Sequence, residues 1–354
     1  MSRARRGIPS WLVNVLLSAL AFALLGLAVW MNQEELRKVF ERQIDRRLFA
    51  LAFVVYLSGL VLTFFRWYLL VRALGLPFRV RDALRLGFIG NVYNLVIPGA
   101  VGGDVVKGAF LCREQERKTQ AVASMVVDRL VGLVGLFLLA GCSGLLAWSG
   151  ANAEVRSLIA LAWGASACGL IGLAVLFTPT LYRPLIVLLA RKPRLAAIVE
   201  ELVTMASAYR ARLGVVAIAL LMAMGNHSLN VLAFYGVDLA LFGERVPTLG
   251  QHFLIVPLTL FTTAVPLPFG ALGVSEHAGR FLFDQVQHPS GAVAMMGFRV
   301  LMYAGGVVSV IVYLFNIRQV RDLSREGEGS GRVELSTNPE SDPDLEHAQA
   351  PGGP

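Results

Sequence analysis

Ile97-Pro98-Gly99-Ala100-Val101-Gly102-Gly103-Asp104 interrupts one apolar block of the chain, and Leu267-Pro268-Phe269-Gly270-Ala271-Leu272-Gly273-Val274-Ser275-Glu276 interrupts another. With one residue inserted in the second, both read proline, glycine, alanine, an aliphatic residue, glycine, and then a polar residue able to start a helix. Proline removes a backbone donor and glycine adopts turn geometry cheaply, so a helix is expected to break there. Each block, 81–111 and 251–285, is therefore read as two short arms folded back on one another.

Working outward, the blocks lie in a 354-residue chain that is 56% hydrophobic and only 16% charged, with a mean hydropathy of +0.63. A soluble chain of this length carries more charge. The apolar residues come in long runs, and a bilayer-spanning helix needs ~20 of them. The short alternating segments of a β-barrel are absent. The fold class is all-α, a polytopic transmembrane helical bundle. The net charge of +8 would suggest nucleic acid in a soluble protein. Here the basic residues sit between apolar runs, which points to topology and anionic lipid instead. Cys112, Cys142 and Cys168 form no disulfide framework and no metal-ligand spacing.

Six ordinary spans are expected. The first, Trp11 to Met31, follows a basic N-terminus; it is too long for a signal-peptide core and carries Trp11 and Trp30 as interface anchors. Asn32–Arg47 reads as an amphipathic surface helix. The others fall near 48–71, 121–148, 158–177, 213–241 and 291–315. Residues 1–320 form the membrane domain. The tail, 321–354, is Gly, Ser, Glu, Asp and Pro and is expected to be disordered.

Loop charge orients the spans. The stretches 72–120 and 178–212 carry eight and six Lys or Arg, whereas 149–157 and 242–250 carry one each. The basic pair should be cytoplasmic, with both termini. Residues 32–47, with five basic residues on the outer side, run against the rule. In this arrangement block 81–111 leaves the cytoplasm and returns to it, and block 251–285 does the same from outside. They become two re-entrant hairpins of opposite orientation, an inverted repeat. Glycine and proline are common in membrane helices, so the sequence likeness alone is weak, but the opposed orientation comes separately from loop charge. Such repeats mark transporters, where a half-helix starting at membrane depth points free N–H groups and a positive dipole end into a cavity. Asp104 and Ser275 sit where these half-helices should start, as N-caps.

Asn91, Asn94, Pro98 to Lys107, and then Ala121, Ser124, Asp128, Arg129, Gly132 and Leu133 resemble the lysylphosphatidylglycerol synthase transmembrane-region family, also called flippase-like domain proteins. Pro268 to Glu276 resembles the family's second block. The resemblance covers residues 8–320 and implies a membrane domain that flips or handles lipid. Two-domain members add a soluble C-terminal domain that aminoacylates phosphatidylglycerol. This chain has only its short tail there, so the synthase activity is not carried over. Stand-alone members are linked with hopanoid, glycolipid or polyprenyl-linked sugar lipids.

The expected lipid site comprises Asn91, Asn94, Pro98, Gly102, Gly103, Asp104, Lys107, Ser124, Asp128, Arg129, Pro268, Gly270, Gly273, Ser275 and Glu276. Asp104 and Lys107 share a helix face, and Lys107 either takes a lipid phosphate or snorkels to the surface. Ser124 and Asp128 share a face, with Arg129 turned ~100° away. Asp128 and Arg129 are either a buried structural pair with the loop residues or an anion site with a proton-coupled Asp. Glu276 is a cation or proton site, or a satisfied carboxylate. Asn226, His227 and Asn230 read as hydrogen-bonding glue between helices. Arg66 and Arg299 either snorkel or line the cavity. Asn91 and Asn94 should cap unwound backbone, and Gly132, Gly135, Gly169 and Gly172 should allow close packing.

No cofactor is expected. Arg280 stands where a second zinc-binding His would be needed after His277, no base and orienter accompany Ser275 and His277 for hydrolysis, and no Walker-type loop serves ATP. The reading is a lipid flippase-like transporter of the bacterial cytoplasmic membrane, with a membrane lipid as substrate. Its rivals are a membrane-embedded lipid-modifying transferase and a non-catalytic protein that delivers lipid to a biosynthetic enzyme.

Overall fold

The computed structural model describes residues 44–96, 102–114, 118–182, 193–264 and 271–316, with scattered positions between 23 and 41. Most of the expected first span, half of the surface helix and the whole tail lie outside the described residues, as do Pro98, Pro268 and Gly270. By its contacts the chain divides at Val312. Met1–Val312 is one unit and carries everything below; Tyr313–Pro354 is the other, of which only the end of the last helix and Asn316 are described.

All regular structure among the described residues is helical: α1 (Arg46–Ala73), α2 (Val80–Val96), α3 (Gly102–Glu114), α4 (Lys118–Ala147), α5 (Ala153–Leu176), α6 (Pro193–Ala211), α7 (Leu213–Phe242), α8 (Leu249–Ala264), α9 (Val274–Asp284) and α10 (Gly291–Phe315), with short 3₁₀ turns after α4 and α5. Helices α1, α4, α5, α7 and α10 are long and apolar enough to cross a membrane, and they match the last five expected spans. Large apolar side chains such as Leu51, Leu146, Ile171, Leu221 and Val307 point outward from them. Such an apolar exterior suits hydrocarbon rather than water. The chain is a multi-pass membrane protein.

The interrupted blocks become two pairs of short helices, α2 with α3 and α8 with α9. At ~1.5 Å per residue none of the four reaches ~30 Å. In one continuous helix Gly90 and Gly103 would lie ~20 Å apart. Instead a Cβ on Gly103 would come within 2.1 Å of the Gly90 carbonyl oxygen, so α3 folds back against α2 at a glycine-to-glycine crossing. Asn94 Oδ1 accepts the Gly103 N–H at 2.8 Å. Helix α9 likewise packs on α8. It begins after Gly273 at φ 82°, a left-handed conformation that glycine adopts without strain, and Ala271 two residues earlier has φ 55°.

Two start positions differ from expectation. Neither Asp104 nor Ser275 is an N-cap. Asp104 is already in the first turn of α3, and Ser275 follows Val274 inside α9. Other side chains meet the orphan N–H groups: Asn94 of α2 at Gly103, and Glu276 Oε2, from the first turn of α9 itself, at Gly273 N, 2.7 Å away. Asn91 does not cap backbone; its amide donates to Ser309 Oγ on α10 at 2.9 Å.

Other ends are closed conventionally. Asp45 caps α1, Asn152 caps α5, and Thr248 with Gln251 forms a capping box before α8. Helix α6, inside the basic stretch 178–212, was not expected. It covers the end of α1, where Tyr209 donates to the Leu70 carbonyl at 3.1 Å and Arg212 to that of Ala73 at 2.6 Å. These bonds satisfy carbonyls that a helix C-terminus leaves open.

The expected packing glycines divide. A Cβ on Gly135 would lie 2.6 Å from Ala223 Cβ and 3.2 Å from the Met224 amide on α7, and one on Gly169 would lie 2.5 Å from Val134. One on Gly172 would meet nothing within 4 Å, so Gly172 is not a packing contact. We expect Gly135→Ala to destabilise the bundle by about 1–3 kcal/mol through overpacking. Gly172→Ala should leave stability unchanged or raise it by up to ~1 kcal/mol. Thermal unfolding of both variants in detergent, side by side, checks the contrast.

Candidate functional site

One turn of α4 places three side-chain or backbone groups on three neighbouring helices. Asp128 receives Arg66 of α1 through two parallel bonds, Nε to Oδ1 at 2.7 Å and Nη2 to Oδ2 at 3.1 Å. Arg129, one residue on and ~100° around the helix, points the other way and binds Asp104 of α3. The Gly132 carbonyl faces His227 Nε2 of α7 at 3.0 Å. A Cβ at Gly132 would stand 3.3 Å from the Arg66 guanidinium, so a small residue there leaves room for the ion pair. Asp128 is therefore buried and ion-paired, and its cation is Arg66 rather than Arg129 or a loop residue. Ser124 bonds back to the Ala121 carbonyl at 2.6 Å and makes no bond to Asp128.

Asp104 is held from two sides. Lys107 Nζ lies 2.6 Å from Oδ1, and Arg129 takes Oδ2. The Lys107 ammonium also sits 5.3 Å over the Trp67 ring, a cation–π position. Lys107 thus neither snorkels outward nor enters the cavity described next.

That cavity, of about 390 Å³, lies between the two short-helix pairs and is walled by α1, α2, α4, α7, α8 and α10. Its polar groups are Tyr56, Thr63, Asn94, Arg129, Asn226, His227, Asn230 and Thr263; Leu60, Leu133, Leu136, Phe261, Phe298 and Met302 supply much of the rest. Arg129 is the cation on this wall, and its side chain is 41% exposed despite the bond to Asp104. Asn230 donates to Asn226 Oδ1 at 3.2 Å and to its carbonyl at 3.0 Å. The carboxamides are thereby oriented within α7 rather than bridging helices. Of the three, His227 makes the interhelical bond expected of all.

The second short pair carries its own network. Arg299 of α10 donates Nε to Glu276 Oε1 at 2.6 Å and also bonds Ser275. Glu276 Oε2 accepts from Ser275 Oγ at 3.0 Å as well as from Gly273 N. Glu276 is fully buried and its oxygens are occupied, so in this arrangement it is a satisfied carboxylate.

From the expected set, then, the cavity takes Asn94 and Arg129. Asn91, Gly102, Gly103, Asp104, Lys107, Ser124, Asp128, Gly273, Ser275 and Glu276 stand off its wall. Tyr56, Thr63 and Thr263 were not anticipated. Asp238 and His252, a fully buried pair, were also missed. A lone carboxylate inside a 30-residue apolar helix is the signal that could have found them.

A family model described as the lysylphosphatidylglycerol synthase TM region matches residues 11–310, and the chain belongs to that family. No curated protein and no solved structure matches it significantly.

Because Arg66 is buried, removing its partner leaves a charge uncompensated. We expect Asp128→Asn to cost about 3–5 kcal/mol, and Arg66→Met with Asp128→Leu together to recover most of it. Denaturant unfolding of the single and double variants decides this; equal losses in both would reject the pairing as a stabilising constraint.

Proposed function

We propose that this member of the lysylphosphatidylglycerol synthase TM-region family moves or hands on a membrane lipid, with the headgroup in the central cavity and the tails in the bilayer. The observation that carries the reading is the cavity's mixed wall: hydroxyl, carboxamide and guanidinium groups share it with leucine and phenylalanine at the centre of a membrane bundle. Polar groups in such a place are costly unless they meet polar partners. A headgroup supplies those partners, and its tails need no polar wall at all.

Arg129 is the docking point for the anionic part of the headgroup, because a guanidinium binds phosphate in a planar, two-pronged fashion. The class of lipid is anionic: a phospholipid, a glycolipid, or a polyprenyl- or hopanoid-type lipid with a charged group. Loop charge supports a bacterial cytoplasmic membrane with both termini inside and the two short pairs entering from opposite faces as an inverted repeat. A lipid-biosynthesis enzyme is the natural partner for supplying or receiving the cargo.

The test is translocation of headgroup-labelled anionic lipid in proteoliposomes. Arg129→Gln leaves Asp104 with Lys107 alone, so it should lower thermal stability somewhat and slow translocation at least tenfold per folded molecule. Lys107→Ala, off the wall, should stay within about threefold of the parent. Parent-like rates for Arg129→Gln would sink the docking assignment.

A further inference from the structure

Among the described residues, Asp104, Asp128 and Glu276 are each paired with arginine, and Asp104 with Lys107 as well. Arginine does not give up its proton in proteins. Asp238 of α7 differs. Its partner is His252, in the first turn of α8, with Oδ2 and Nε2 3.0 Å apart and both side chains fully buried. Neither residue lines the central cavity.

The hydrogen bonds count the protons. His252 Nδ1 lies 3.1 Å from the Thr248 carbonyl oxygen. A carbonyl only accepts, so Nδ1 carries a hydrogen. The Nε2–Oδ2 contact needs a second hydrogen, because a bare imidazole nitrogen facing a bare carboxylate oxygen would set lone pair against lone pair. Imidazolium with carboxylate, and neutral ring with carboxylic acid, are two placements of the same shared proton. If it left with the pair still closed, a buried carboxylate would remain without a counter-charge. Asp238 Oδ1 is already buried with no hydrogen-bond partner among the described residues, so nothing nearby would compensate.

The shell around the pair offers no substitute. Phe234, Tyr235 and Phe283 pack against the imidazole with ring centroids 6.3, 5.0 and 5.6 Å away. Other titratable groups on the surrounding elements are engaged or exposed, except His277 of α9, whose Nδ1 faces the Gly273 carbonyl at 2.7 Å while its buried Nε2 meets no partner among the described residues. His288 is bonded to the Arg245 carbonyl and to Ser290, Asp45 caps α1, and Glu276 is held by Arg299. Glu244, Arg245 and Asp284 are exposed.

We propose that Asp238 and His252 form a proton-binding site that holds one proton while α8 is docked on α7 and releases it when the two helices part. The ligand is a proton, and the moving element is the first arm of the second short pair. The inference does not depend on what occupies the central cavity.

Hydrogen–deuterium exchange of the full-length protein in lipid nanodiscs tests it without any transport assay. The peptide covering 249–264 is followed over a pH series and corrected for intrinsic chemical exchange. In water an imidazole keeps its proton below ~6.5, so opening releases one only above that pH, where the opening equilibrium should rise about tenfold per pH unit. The double variant Asp238→Asn with His252→Gln keeps a hydrogen-bonding pair but no ionisable group, and its corrected exchange should be flat. Asp238→Asn alone, for use if the double variant does not fold, should lose the positive slope, since the remaining imidazole can only gain a proton on reaching water. A flat parent, or a positive slope that persists in the variants, overturns the proposal.

Discussion

A carboxylate inside a membrane bundle must be met by a cation or a proton, and in this protein most of the tertiary specificity follows from how that demand is met. The turn of α4 from Asp128 to Gly132 is the centre. Asp128 fixes α1 through Arg66, Arg129 fixes α3 through Asp104, and the Gly132 carbonyl receives His227 of α7. Apolar packing between helices gives little direction when the solvent is itself hydrocarbon. Ion pairs of fixed geometry can supply the register that packing leaves loose.

The two short-helix pairs repeat one device. In each, a carboxylate in the first turn of the second arm is bound by an arginine on the following long helix: Asp104 by Arg129, and Glu276 by Arg299. In each, a side-chain oxygen meets an N–H at the start of that arm, Asn94 in one and Glu276 itself in the other. The devices differ in exposure. The Arg129 side chain remains 41% exposed and reaches the central cavity, while the Arg299 side chain is 5% exposed and sealed. That difference opens the first device to the cavity and closes the second.

Much of this was legible in the sequence. The long spans announce themselves by apolar length, and the Pro–Gly stretches announce the interruptions. The ~100° offset between Asp128 and Arg129 was legible as well, though not that it sends them to two different partners. The partners themselves were not legible, because Arg66 and Asp128 are 62 positions apart and Asp104 and Arg129 are 25 apart. Helix starts were misplaced for a related reason. Local rules nominate Asp104 and Ser275 as caps, whereas the Gly103 N–H is met from the other arm by Asn94 and the Gly273 N–H by Glu276, three residues on in α9. Helix α6 lay hidden in a basic stretch, and Asp238 and His252 in apolar ones.

The central claim is that the cavity between the short pairs is a reachable chamber with a mixed polar and apolar wall that a lipid headgroup can fill. Cysteine accessibility tests it most directly. In a background with Cys112, Cys142 and Cys168 replaced by serine, single cysteines at Asn230 on the wall and at Ser166, fully buried on α5, are exposed to a membrane-impermeant thiol reagent. The account predicts fast modification at 230, slowed by a soluble phosphorylated headgroup, and little at 166. Equal and slow modification at both positions would contradict it.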